Sequence, residues 1–205
     1  VGKDYCAKDG THTHIHWANG TTASKSNKVA AAQFLLDTYK NKFDVGNRVT
    51  IHIHNGDTPQ KIFDGCMPGC PEIGLLDSLM GAGCEDIIAR RDRRNVKFMY
   101  QKVIATYLKK TDGNNINFLD ELIKVSHFHS EKKGDQTTII FLGSMNPTKT
   151  SQEKVESFDA AFIKATQREV QFGEKLSEIK IHCTDGKQSQ NITKFWDDVF
   201  EAFDL

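Results

Sequence analysis

Residues 11 to 17 read Thr11-His12-Thr13-His14-Ile15-His16-Trp17, and Asn19-Gly20 closes the run with turn chemistry. The alternation predicts a strand with His12, His14 and His16 on one face and Thr13, Ile15 and Trp17 on the other. Thr21, Thr22 and Ser24 supply caps for a following helix, whose apolar stripe runs through Val29, Ala32, Phe34, Leu35, Leu36 and Tyr39. Gly46-Asn47 ends that helix, and Val49-Thr50-Ile51-His52-Ile53-His54 is a second strand, closed by Asn55-Gly56-Asp57. Strand, helix and strand in quick succession form a βαβ unit, which requires parallel pairing and a right-handed crossover.

The alternation of elements continues outward. Lys61-Ile62-Phe63 is a short third strand, followed by a loop rich in glycine and cysteine from Asp64 to Cys84. Helices are expected over Asp86 to Lys110 and Asn117 to His127. Thr137-Thr138-Ile139-Ile140-Phe141-Leu142 is the most apolar run, as a central strand buried on both faces would be. A helix from Glu153 to Phe172, a strand from Glu178 to Cys183 and a helix from Ile192 to Phe203 complete the series. The expected architecture is α/β: three layers built on a doubly wound, mostly parallel sheet, with ligands at the carboxyl ends of the strands. With no linker or repeat, residues 1–205 form a single domain, large enough to bury roughly 70% of its unfolded surface.

Lys+Arg and Asp+Glu are equal at 27, so no global field draws in nucleic acid, which is excluded as a partner. The one concentrated basic stretch is Arg90, Arg91, Arg93, Arg94 and Lys97 around Asp92, and it reads as a solvated helix face. No run approaches the length of a membrane span, and no signal peptide stands at Val1. A start at Val implies a trimmed chain, so membrane contact is expected only through an anchor upstream of it. Five cysteines leave the compartment open, and Cys66 with Cys70 has no second pair to complete a zinc site. GxSxG, Walker and GxGxxG motifs are all missing from the sequence, and alternation points His182 and Cys183 to opposite faces, which rules them out as a base and nucleophile.

The ordering resembles a von Willebrand factor A-like domain, and is similar to the exported or membrane-anchored bacterial members that have no assigned activity. The likeness is carried by Tyr5-Cys6-Ala7-Lys8-Asp9-Gly10, Val45-Gly46-Asn47-Arg48-Val49-Thr50-Ile51, Ile62-Phe63-Asp64-Gly65-Cys66-Met67-Pro68-Gly69, Phe118-Leu119-Asp120-Glu121-Leu122-Ile123 and Phe195-Trp196-Asp197-Asp198-Val199-Phe200. Metal-binding members of that family carry Asp-x-Ser-x-Ser after the first strand and an Asp after the central one, oxygen ligands suited to a hard cation. Here His16 stands at the first Asp position, Ala18 and Gly20 at the hydroxyl positions and Ser144 at the later Asp position. The resemblance therefore implies a degenerate metal ion-dependent adhesion site, with no cofactor. It also implies a disulfide between Cys6 and Cys66, with Cys70 and Cys84 as a second candidate pair and Cys183 a buried strand thiol. Those bridges imply an extracytoplasmic, periplasmic or membrane-tethered location, whereas five free thiols would imply the cytoplasm.

Six of the eight histidines fall in expected strands: 12, 14, 16, 52, 54 and 182. The simplest reading is a set of neutral, hydrogen-bonded imidazoles packed under a helix, which acidification through about pH 6 would charge and destabilise. A transition-metal site of His16, His54 and His182, at the ligand-binding strand ends, is the sharper alternative. A second class of function rests on His12-Thr13-His14, which is similar to the opening of HxH metal-dependent phosphoesterases, where such a pair holds metals that activate water. The later ligands of that family are missing: Asn55-Gly56-Asp57 is a poor substitute, and Ser144 and Asn146 are not metal ligands of choice. The sequence thus favours a non-catalytic module that binds a protein partner through a crest of His16, Asn19, Thr21, Thr22, His54, Ser144, Asn146 and Asp185, together with the loop from Asp64 to Cys84.

Overall fold

The computed structural model describes residues 5–7, 10–18, 25–41, 43–54, 59–69, 86–109, 118–130, 137–143, 176–184 and 189–202. In chain order the elements are β1 (His12–Ala18), α1 (Lys25–Asn41), β2 (Arg48–His54), β3 (Gln60–Cys66), α2 (Asp86–Lys109), α3 (Phe118–Ser130), β4 (Thr137–Gly143), β5 (Leu176–Cys183) and α4 (Ser189–Ala202). The helix expected from Glu153 to Phe172 lies outside the described residues.

The five strands form one sheet in the order β3-β2-β1-β4-β5. β1 runs parallel to both β2 and β4, and β5 is parallel to β4. β3 is antiparallel to β2 and longer than the three residues expected, pairing Arg48 with Cys66 at one end and Ile53 with Gln60 at the other. Its direction follows from the connection: only residues 55–59 separate the two strands, too few for a crossover. The chain winds outward from β1 through β2 to β3, then returns to β4 on the other side of β1, so the sheet's switch point lies at the carboxyl ends of β1 and β4.

Alternation along each strand feeds two cores. Ile15, Trp17, Val49, Ile51, Ile53, Ile140 and Leu142 face Leu35 of α1 and Val96, Tyr100 and Ile104 of α2. Ile139, Phe141 and Cys183 face Leu122 and Val125 of α3 and Ile192, Trp196 and Val199 of α4. Each fully buried side chain of this size contributes about 1.5–3 kcal/mol over leaving it in water. Tyr100 also donates its hydroxyl to the carbonyl of Leu35 at 2.8 Å, tying α2 to α1, and burial raises its pKa far above the usual tyrosine range.

The N-terminal segment is strapped to the sheet by the Cys6–Cys66 disulfide, which closes a sequence separation of 60. Backbone bonds hold it in place: Ala7 N–H donates to Gly46 O at 3.0 Å, and Gly46 N–H to Met67 O at 3.1 Å. Gly46 has φ +87°, and a Cβ there would lie 2.8 Å from the Ala7 side chain, so glycine answers both a backbone and a packing demand. Cys183 is free and buried on β5, while Cys70 and Cys84 lie outside the described residues. Among the described residues no helix is long and apolar enough to cross a membrane.

Candidate functional site

On the sheet face covered by α3, the part supplied by β1 and β2 is lined with imidazoles. β1 places His12, His14 and His16 on it, and parallel register sets His52 beside His16 and His54 beside Ala18. α3 closes the face with Glu121 and His129, which share a helical stripe with Leu122 and Val125 at spacings of three and four residues. The enclosure is tight: His14, His16 and His52 are each 1% exposed.

The hydrogen bonds form chains. His54 Nδ1 contacts Glu121 Oε2, and His54 Nε2 lies 2.9 Å from His16 Nδ1. His16 Nε2 in turn lies 3.0 Å from His129 Nε2. A neutral imidazole has one donor and one acceptor nitrogen, so fixing one proton fixes the rest. With the Glu121 carboxylate accepting from His54 Nδ1–H, His54 Nε2 accepts from His16 Nδ1–H, and His16 Nε2 accepts from His129 Nε2–H. Three uncharged rings are thereby satisfied in one direction. Beside them, His14 Nδ1 lies 3.4 Å from His52 Nε2, and the His16 and His52 rings stack at 4.8 Å, 7° apart.

A second chain fixes His12. Thr50 donates its hydroxyl to Asp64 Oδ1 at 3.2 Å and so accepts from His12 Nε2–H at 2.7 Å. Asp64 is held in turn by a two-pronged contact with Arg48, both arms at 2.8 Å.

The electrostatics disfavour a charge on His16. Burial pushes the His16 pKa well below the usual histidine value, and the neighbouring His54, His52, His129 and His14 push it the same way. Burial would raise the Glu121 carboxyl, but the hydrogen bond and charge of His54, followed by those of Lys124, outweigh it and hold the group below its usual value. Lys124 Nζ sits 3.0 Å from Glu121 Oε1. A proton added at the His129 end would be passed by reversing each N–H···N bond, arriving on His54 next to the only carboxylate that touches the chain among the described residues. Among the described residues no three His, Cys, Asp or Glu side chains are grouped as a metal ion would require.

His16 and His54 are thus brought together, but buried beneath α3 rather than turned outward on a crest. His182 is not with them: β5 register sets it beside Leu142, on the opposite face, where it stacks on Phe34 of α1 at 4.0 Å. The grouping of His16, His54 and His182 is corrected on this point, because nearness to the strand ends does not place residues on the same face. Asn19, Thr21, Thr22, Ser144, Asn146 and Asp185 lie outside the described residues. His129 escaped the sequence reading and Glu121 entered it only as an acid near the start of a helix, although an acid and a histidine on the apolar stripe of a helix are the signal that marks them.

Two other features complete the surface. A cleft of about 180 Å³ at the amino ends of the strands, lined by Thr13, Thr38, Phe43, Val49 and Thr138 among others, is smaller than the usual 300–1,000 Å³ of ligand pockets. The basic stretch on α2 is partly structural. Arg93 donates to the Pro68 carbonyl at 2.9 Å, and Asp92 accepts from the Tyr5 hydroxyl at 2.9 Å, while Arg90, Arg91, Arg94 and Lys97 face solvent. The chain matches no protein-family model, and no curated protein matches it.

Proposed function

We propose that this chain is a non-catalytic binding or accessory module, a von Willebrand factor A-like domain without the oxygen ligands of the adhesion site, that docks a protein partner outside the cytoplasm. The observation that carries this reading is the engagement of His16. It stands where the resemblance implies the first metal-ligating Asp, yet both of its ring nitrogens contact other imidazoles in the interior. The strand order supports the same reading by setting a switch point at β1 and β4, next to Asn19, Thr21, Thr22, Ser144 and Asn146 in sequence, with Asp185 following the neighbouring β5. The Cys6–Cys66 disulfide supports an oxidising, periplasmic or membrane-tethered setting.

The phosphoesterase reading needs ring nitrogens open to metal and substrate. His12 Nε2 instead contacts Thr50, and His14 Nδ1 faces His52, with both side chains buried. The two readings separate in one pair of measurements. A photo-crosslinking residue at Thr21 or Asn146, introduced into the full-length protein in its own cells, is expected to trap one discrete partner that the same residue at Gln33 on α1 does not trap. Purified protein supplied with zinc, manganese or magnesium is expected to leave an aryl phosphate intact. Metal-dependent turnover that follows the protein through purification and is lost in His14→Gln would overturn the proposal.

A further inference from the structure

The two most exposed large apolar side chains among the described residues stand among bases on α2: Ile87 is 83% exposed and Phe98 64%. The helix buries Ala89, Val96, Tyr100 and Ile104, and the line opposite them runs through Ile87, Arg91, Arg94, Phe98 and Lys102, spaced three and four residues apart. All five side chains on that line are exposed. Arg94 and Lys102 stand one turn to either side of Phe98, and Ile87 lies about 16 Å from it along the helix axis. We propose that this face of α2 seats the domain on an anionic lipid surface, with Ile87 and Phe98 entering between the headgroups and Arg91, Arg94 and Lys102 lying against their phosphates.

Charge placement favours an anionic partner. The chain is neutral overall, with 27 bases and 27 acids, but its described helices divide those charges unevenly. α2 exposes Arg90, Arg91, Arg94, Lys97 and Lys102; its acids are Asp86 and Asp92, and Asp92 already accepts from Tyr5 and contacts Arg91. α1, packed with α2 on the same face of the sheet, adds exposed Lys25, Lys40 and Val29. On the other face, α4 turns Asp197, Asp198 and Glu201 outward together with Lys194. A neutral chain divided in this way turns its basic layer toward an anionic surface.

The shape of the face favours lipid over protein. It is the convex outer side of one helix, a ridge on which bases separate the two bulky apolar groups. A protein partner needs two pockets at that spacing, each within an acidic rim. A bilayer interface admits apolar side chains at any point along a plane and supplies anions between them. The bases of α2 keep it from spanning the bilayer, so the contact lies along the surface. Each base held near the headgroups favours the bound state roughly fivefold, a factor that salt erodes. This seating is separate from the protein-docking reading, whose residues follow the strand ends in sequence.

Sedimentation of the whole, disulfide-intact chain with phosphatidylcholine vesicles, with and without about 30% phosphatidylglycerol, tests the seating. The expected result is binding to the anionic vesicles at about 0.1 M salt that exceeds binding to the neutral ones and falls roughly tenfold or more at about 0.5 M salt. Arg94→Glu combined with Lys102→Glu is expected to weaken it by roughly tenfold or more, whereas Lys194→Glu on α4 leaves it unchanged. Phe98→Trp, measured with brominated acyl chains, is expected to show quenching beyond that of the parent protein, whose Trp17 and Trp196 are each 1% exposed. All of these positions are exposed, and a urea midpoint equal to the parent's identifies variants that keep the fold. Failure to bind the anionic vesicles overturns the proposal, as does binding that survives the double reversal, falls as far with Lys194→Glu, or leaves the indole at position 98 unquenched. An acidic protein or a nucleic acid held through α2 while the vesicles stay unbound overturns it as well.

Discussion

His54 on β2 turns its Nδ1 onto the carboxylate of Glu121 on α3, a residue 67 positions further along the chain. Both side chains are buried, so neither has water as an alternative partner. Glu121→Ala leaves the His54 donor without an acceptor and is expected to lower stability by about 2–3 kcal/mol at neutral pH, with Glu121→Gln, which keeps an acceptor oxygen, losing about 1 kcal/mol. Urea unfolding of the two variants measures this; losses below about 0.5 kcal/mol in both would show that the contact holds nothing together.

Acid should weaken the fold in two stages. The folded state holds His16 below its ordinary pKa of 6.5, so above that pH folded and unfolded chains are equally deprotonated and the full stability is present. As pH falls below 6.5 the unfolded chain takes up a proton that the folded chain resists, and stability drops with a slope approaching about 1.4 kcal/mol per pH unit for one such group. Glu121, held below its ordinary 4.5, adds its own loss only as pH falls below that value. Thermal melts between about pH 8 and pH 4 at constant ionic strength read both stages; a Tm flat from about pH 7 to pH 5 is incompatible with the buried neutral imidazoles.

Much of this face was legible in the sequence, and the reason is the period of a strand. Alternation alone put His12, His14 and His16 on one face of their strand and His52 with His54 on one face of the next, and the parallel register shows that the two faces coincide. Alternation also separated His182 from Cys183, but it could not say which of the two shared a face with His16; that depends on the pairing of Leu142 with His182 across β4 and β5. The partners of Glu121 and His129 were invisible for a different reason: the two residues meet β2 and β1 only after α3 has packed, across 67 and 113 residues of chain. The antiparallel β3 was missed in direction because a short run of strand residues carries no sign of orientation; the five-residue gap before it does.

The disulfide acts on the unfolded chain. Joining Cys6 to Cys66 across a separation of 60 removes loop-closure freedom equivalent to about 4 kcal/mol in the chain-entropy model. Cys6→Ser, or reduction of the native protein, is expected to lower stability by about 2–4 kcal/mol. The denaturation midpoint with and without reductant reports it, and coincident midpoints for the oxidised protein and Cys6→Ser would mean that the bridge is not formed in solution.

At Gly46 two demands coincide, a φ of +87° and an Ala7 side chain 2.8 Å from where a Cβ would stand. Gly46→Ala must strain the turn and push the N-terminal strap outward, at an expected loss of about 1–3 kcal/mol. Its second signature is local: residues 5–7 should become accessible to protease before the sheet opens. A variant as stable and as protease-resistant as the parent would contradict the close approach.

His182 offers the sharpest contrast between the two faces of the sheet. It stacks on Phe34 at 4.0 Å, 22° from parallel, on the face that holds none of the other strand histidines. His182→Gln is expected to lose about 0.5–1.5 kcal/mol of ring packing at neutral pH while leaving the acid transition where it was. His16→Gln should do the reverse to the pH profile, flattening the drop between about pH 6.5 and pH 5, because it removes the ring whose neutral form the interior selects. Plotting the unfolding midpoint against pH for the parent and both variants separates the contributions. If His182→Gln shifted the acid transition as far as His16→Gln, the histidines would be titrating as one population, and the assignment of acid sensitivity to the α3 face would fall.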